Sequence, residues 1–195
     1  RPFQRRDIPL GKVRALGLAT GAMMAVAGII AVATLYTLPS LVVGLADLAR
    51  LGLFLILGWA YITTFGLVAL AAAALMPATA SGLIAASVAW LVLTFVLPEL
   101  TANIHPTAAI NPVSTLAATP DSAFFRATST LLGPLSLSEA FAWLSGDLLS
   151  FLPDGLAPRG PVPPLVTLTL ALILACLFAL RSAAKLDLTA GGPDA

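Results

Sequence analysis

Between Arg50 and Glu99 the chain runs through 48 residues without one charged side chain. A helix needs about 20 apolar residues to cross the hydrocarbon of a bilayer, at about 1.5 Å of rise per residue. The run is too long for one crossing and about right for two. Its break lies at Met76–Gly82, where Pro77 and Gly82 interrupt an otherwise continuous pattern. Two further charge-free stretches flank it, 32 residues from Ala15 to Ala46 and 21 from Gly160 to Leu180. These stretches predict an all-α, polytopic bundle with four spans, near Ala15–Leu38, Leu51–Leu75, Ala80–Pro98 and Val162–Leu180.

Composition leads to the same class. Hydrophobic residues make up 59% of the chain, charged residues 10%, and the mean hydropathy is +1.00. A soluble domain of 195 residues has no interior large enough for that much apolar surface, so lipid is the solvent for most of it. The net charge of +1 is uninformative about nucleic acid, which is not expected as a partner; the distribution of charge carries the information. Cys176 is the only cysteine and has no internal partner for a disulfide. The chain opens on Arg1 without a signal-peptide pattern, and it is expected to be the C-terminal part of a longer polypeptide.

Charge distribution sets the expected orientation. Arg1, Arg5, Arg6, Lys12 and Arg14 precede the first span, and Arg181 and Lys185 follow the last. With an even number of spans these seven basic residues share one side, which the positive-inside rule makes the cytoplasm. Both ends are then cytoplasmic. The expected map is a cytosolic junction at 1–14, three spans within 15–98, an extracytoplasmic segment at 99–161, a last span at 162–180 and a cytosolic tail at 181–195.

The extracytoplasmic segment carries helix signals of its own. Thr119-Pro120-Asp121 reads as an N-cap, a proline at the first helical position and an acid in the first turn. Gly133-Pro134 ends that helix. Ser136 and Glu139 have capping-box spacing and open a second helix, read over Ser136–Leu152. Leu137, Phe141, Leu144, Leu148 and Phe151 recur on one face of it, with Ser138, Ser145 and Asp147 opposite. Such a helix lies in the membrane interface or packs across the outer mouth of the bundle.

The N-terminal string Arg1-Pro2-Phe3-Gln4-Arg5-Arg6-Asp7-Ile8-Pro9-Leu10-Gly11-Lys12 resembles a junction of type-2 ABC exporter permeases, in which an Arg-Pro-x-x-Arg-Arg-like element and Gly-Lys lead into a span. The layout that follows is similar too: a small-residue-rich span, a two-span hairpin with a tight turn, a segment with Leu132-Gly133-Pro134-Leu135, and a final span ending in basic residues. The resemblance covers effectively the whole chain. It implies a single transmembrane permease domain in a cell inner (plasma) membrane, with two more spans upstream of Arg1. It also implies a partner ABC ATPase that hydrolyses ATP, and a second permease copy or a related permease to complete the path. Arg1, Phe3, Arg5 and Arg6 become the candidates for contact with the ATPase. In departure from many relatives, the Met76–Gly82 turn carries no basic residue.

Read from the residues alone, the arginines are a positive-inside anchor. Gly17, Gly21 and Gly28, with Gly82 and Ala86 in the third span, are helix-packing positions that let backbones approach in lipid. Tyr61, Thr63, Thr64 and Thr94 are the polar groups available to line a path. Against that role, threonine hydroxyls commonly bond back to their own helix, and Trp59 and Trp90 serve as packing. Glu99 sits at a span boundary, where an acid is solvated or caps the chain beyond. His105 is the only histidine and has no cysteine or second histidine beside it to hold a metal. Neither a His-Glu-x-x-His element nor a Walker A loop occurs, so no chemistry or cofactor is expected in this chain itself. The alternative to a transport subunit is a non-transporting membrane scaffold that recruits an extracytoplasmic partner.

Overall fold

A computed structural model describes residues 7–38, 43–101, 122–150 and 162–184. Among them every regular element is helical, and four helices are long and apolar enough to span a membrane: Pro9–Thr37, Leu45–Leu75, Ala80–Thr101 and Pro163–Ala184. It is a multi-pass membrane protein. Helix α1 covers Asp7–Thr37, α2 Leu45–Leu75 and α3 Thr79–Leu91; a π-helical segment at Val92–Val96 then leads into α4, Leu97–Thr101. Two short helices follow, α5 at Ala123–Leu132 and α6 at Leu137–Leu148, separated by a 3-10 turn at Gly133–Leu135. The last span is α7, Val162–Ala184.

The first helix starts at Asp7, earlier than the charge-free run, so Lys12 and Arg14 ride on the helix itself. Pro9 falls in its first turn, where a missing N–H breaks no helical bond. Helix α2 ends at Leu75, with Met76 in extended conformation and its N–H returned to the Ala72 carbonyl. Helix α3 then turns back along it. The close point of that hairpin is Gly82, where an added Cβ would stand 3.0 Å from the Ala73 Cα.

Helix α2 is the centre of the bundle. Leu67 and Ala71 meet Ala175 and Ala179 of α7, with Val13 and Leu16 of α1 closing the cluster. On the α7 side the contact runs along Ala171, Ala175 and Ala179, a spacing of four that puts small residues on one face. A second cluster joins Leu137, Trp143 and Leu144 of α6 to Leu168 of α7, backed by Leu57, Tyr61 and Phe65 of α2. Most of the remaining side-chain surface is apolar and exposed, with Leu18 at 75% and Ile29 at 70% on α1. Without hydrocarbon around it such a surface has no stable solvent.

The segment between the third and fourth spans differs from its expected form in three ways. Helix α5 is capped by Ser122, whose hydroxyl accepts from the Phe125 N–H at 3.3 Å; Thr119-Pro120-Asp121 lies outside the described residues. The polar face of helix α6 is only partly exposed: Asp147 is exposed, Ser145 is half-buried and Ser138 is buried. Leu137, Ser138, Glu139 and Ala140 are buried in succession, as are Trp143, Leu144 and Gly146, so the helix is packed into the bundle on most of its circumference. The capping box is half formed. Ser136 accepts from the Glu139 N–H at 3.3 Å, but the Ser136 N–H goes to the Gly133 carbonyl at 3.1 Å. The Glu139 carboxylate instead takes the hydroxyl of Thr101 at the end of α4. Phe151 and Leu152 lie outside the described residues.

Candidate functional site

Two polar seams cross the apolar bundle, both centred on α2. The first joins α1. The Trp59 indole N–H donates to the Gly17 carbonyl at 2.9 Å, and the ring edge lies against Gly21, 3.5 Å from where its Cβ would be. Trp59 is thus an interhelical donor seated in the Gly17/Gly21 groove, not merely a space-filling ring. Four residues along α2, Thr63 meets Thr20 at 2.8 Å. Thr20 donates back to Leu16 and Gly17 carbonyls at 3.0 and 3.1 Å, which leaves Thr63 as the donor to Thr20. Higher up α1, the place of a Gly28 side chain is filled by Leu55, 2.6 Å from an added Cβ.

The second seam joins α6 to α2 and to the third span. Its origin is Pro98. In the π segment the Leu97 N–H reaches five residues back to the Val92 carbonyl. The next donor in that register is residue 98, a proline with no N–H, so the ladder passes the Leu93 carbonyl by. Ser138 of α6 donates to that carbonyl at 3.4 Å. The Tyr61 hydroxyl stands 3.1 Å from Ser138 and is left as its donor. Phe141, one turn along α6, stacks on the Tyr61 ring at 4.6 Å between centroids. Tyr61 lies eleven residues beyond Arg50 on α2, about 16 Å along the helix and roughly half the thickness of the hydrocarbon. Helix α6 therefore re-enters the bundle as far as the middle of α2.

The candidate path residues do not converge. Thr63 faces α1 and Tyr61 faces α6. Thr64 bonds back to the Ala60 carbonyl at 2.8 Å. Thr94, within the π segment, buries a hydroxyl that has no partner among the described residues. Gly82 is buried against α2, and Ala86 is half-buried one turn further along α3. Trp90 packs edge-on against Phe95 at 5.4 Å. Arg1, Phe3, Arg5 and Arg6 lie outside the described residues, as does His105.

Three participants have no role in the sequence reading: Ser138 as an interhelical ligand, Glu139 as a buried acid, and Trp143 as a core indole. Glu139 is 2% exposed and Trp143 is 5% exposed. For Ser138 and Glu139 the partners are 45 and 38 residues away in sequence, so no local pattern points to them. No group of three or more His, Cys, Asp or Glu side chains is placed to hold a metal ion among the described residues. What these seams do is mechanical: they fix the register of α1, α6 and the third span on α2. Compared with known protein families, with characterised proteins and with solved structures, the chain gives no match.

Proposed function

We propose that the protein is a membrane permease subunit of an ABC-type exporter, moving a substrate across the membrane at the expense of ATP hydrolysed by a partner. The observation that carries this reading is the layout: a basic junction leads into three spans, a helical segment re-enters the bundle, and a fourth span follows. The re-entrant α6 grips both the centre of α2 and the π break of the third span. A rocking motion of the spans delivered from the basic junction has a mechanical route through α2 to that end of the molecule. A π segment followed by a proline is a place where a span can bend at low cost.

In this reading both ends are cytoplasmic, the membrane is a plasma (inner) membrane, and two permeases together enclose the path. The basic junction at Arg1–Lys12 meets the ATPase. Replacing Arg5 and Arg6 by lysine keeps the positive charge but removes the planar donors that pair with carboxylates; replacing them by glutamate reverses the charge. A docking junction predicts normal insertion but reduced ATP turnover for the lysine pair in the full-length reconstituted complex, and a greater loss for the glutamate pair. Unchanged turnover in both, at normal insertion, removes these arginines from the mechanism.

A further inference from the structure

Helices α1 and α2 meet through glycines and leave an apolar groove beside the contact. The groove has a volume of about 680 Å³ and is lined by Gly17, Gly21 and Ala25 of α1 and by Leu55, Ile56 and Trp59 of α2. That is within the size range of small-ligand sites. Its wall is held in place, because the Trp59 indole is tied to the Gly17 carbonyl at 2.9 Å. Both helices are spans, so the groove opens to hydrocarbon rather than to water. Arg14 stands at one end of it. Gly17, Leu18, Gly21, Ala22 and Ala25 follow Arg14 at intervals of 3, 4, 7, 8 and 11 residues, the spacing of one helix face. Arg14 is exposed and has no partner among the described residues. It is the last charge before the charge-free run that begins at Ala15, which sets its head at the level of the lipid phosphates. From Arg14 to Ala25 the helix rises about 16 Å, half the thickness of the hydrocarbon. The groove face is as long as one leaflet is deep, with a cation at its polar end.

We propose that the α1–α2 groove is a site for one anionic phospholipid, its phosphate paired with Arg14 and one acyl chain laid over Gly17, Gly21 and Ala25 against Trp59. The planar guanidinium donors match phosphate oxygens in pairs. A zwitterionic lipid brings its own cation beside the phosphate and so gains less from Arg14. A helix of a second copy would fill the groove with apolar surface but would bring no counter-charge to the arginine at its end. The site is independent of the exporter reading, because binding is measured on this protein with no ATPase present.

The test is quenching of indole fluorescence by brominated acyl chains. The protein is reconstituted in vesicles of equal parts phosphatidylcholine and phosphatidylglycerol, with the bromine carried on one lipid or on the other at the same mole fraction. Trp90, 45% exposed, is replaced by phenylalanine throughout, and Trp143 is 5% exposed and out of reach of lipid, so the quenching reports on Trp59. Phosphatidylglycerol should associate with the groove at least about fivefold more strongly than phosphatidylcholine, the scale of one basic side chain's attraction to anionic lipid. Arg14→Gln should bring the two lipids to the same level. Arg181→Gln, at the end of α7, should leave the preference unchanged, which separates the groove from a general attraction to basic helix ends. Ala25 is exposed within the groove, and Ala25→Phe should fill the groove and remove the preference although Arg14 remains. Equal quenching by the two brominated lipids overturns the proposal, and that comparison needs no groove variant. Quenching by neither, as when a second copy covers the groove, does the same. So does a preference that survives Arg14→Gln or Ala25→Phe, or one that Arg181→Gln also removes.

Discussion

The Tyr61 hydroxyl lies 3.1 Å from the Ser138 hydroxyl, and this contact fastens a helix outside the four spans to the middle of the second span. Tyr61→Phe and Ser138→Ala should each destabilise the protein by about 1 kcal/mol, the usual scale of an interhelical hydrogen bond in lipid. The double variant should cost less than their sum, because the two share one bond. Thermal unfolding of the four proteins in one detergent measures the coupling; strict additivity would show that the two hydroxyls do not interact.

The glycines should not behave alike. An added Cβ at Gly82 meets the Ala73 backbone at 3.0 Å, where only movement of a whole helix gives relief. Gly82→Ala should therefore cost about 1–3 kcal/mol, as overpacking does. At Gly28 the obstacle is the end of the Leu55 side chain, which can change rotamer, and at Gly17 the nearest atom is 3.9 Å away. Gly28→Ala should cost less than Gly82→Ala, and Gly17→Ala should be neutral or stabilising through the better helix propensity of alanine. The order of midpoint temperatures in a thermal melt checks the series, and a melt in which Gly17→Ala is the worst of the three contradicts the packing described.

The burial of α6 predicts a labelling pattern. In a Cys176→Ala background, cysteine at Asp147, which is exposed, should react with a polar maleimide. Cysteine at Leu137 or Leu144, 3% and 7% exposed, should be protected until the protein is denatured. Equal reaction at all three would place α6 free of the bundle.

Spans were legible in the sequence because lipid imposes a length and excludes charge, and neither demand depends on tertiary contacts. The hairpin at Met76–Gly82 was legible for the same reason, since Pro77 and Gly82 stand where the apolar run is too long for one helix. The glycines of α1 were legible as packing positions, whereas the small-residue face of Ala171, Ala175 and Ala179, which forms the α2–α7 seam, was not singled out. Polar contacts were not legible. Glu139 has the spacing of a capping box, but its carboxylate prefers Thr101, which only the fold brings near. The π segment has a local cause in Pro98, yet a proline after a span reads first as a stop. Its consequence, a carbonyl open to Ser138, depends on where α6 lands.

Orientation rests on the basic residues at the two ends. A reporter fused after Ala195 should be active only in its cytoplasmic form, because Arg181 and Lys185 follow the last span. Periplasmic activity at that position would reverse the orientation proposed for the bundle and place α5 and α6 on the cytoplasmic side.

The exporter reading stands or falls on an ATP-hydrolysing partner. The full-length polypeptide is purified in mild detergent with whatever subunits remain bound, reconstituted in lipid, and assayed for ATP turnover. The account predicts a stoichiometric ATPase subunit whose turnover falls when the permease is omitted or when Arg5 and Arg6 are reversed to glutamate. A purified, folded protein that carries no ATPase and leaves ATP untouched contradicts it.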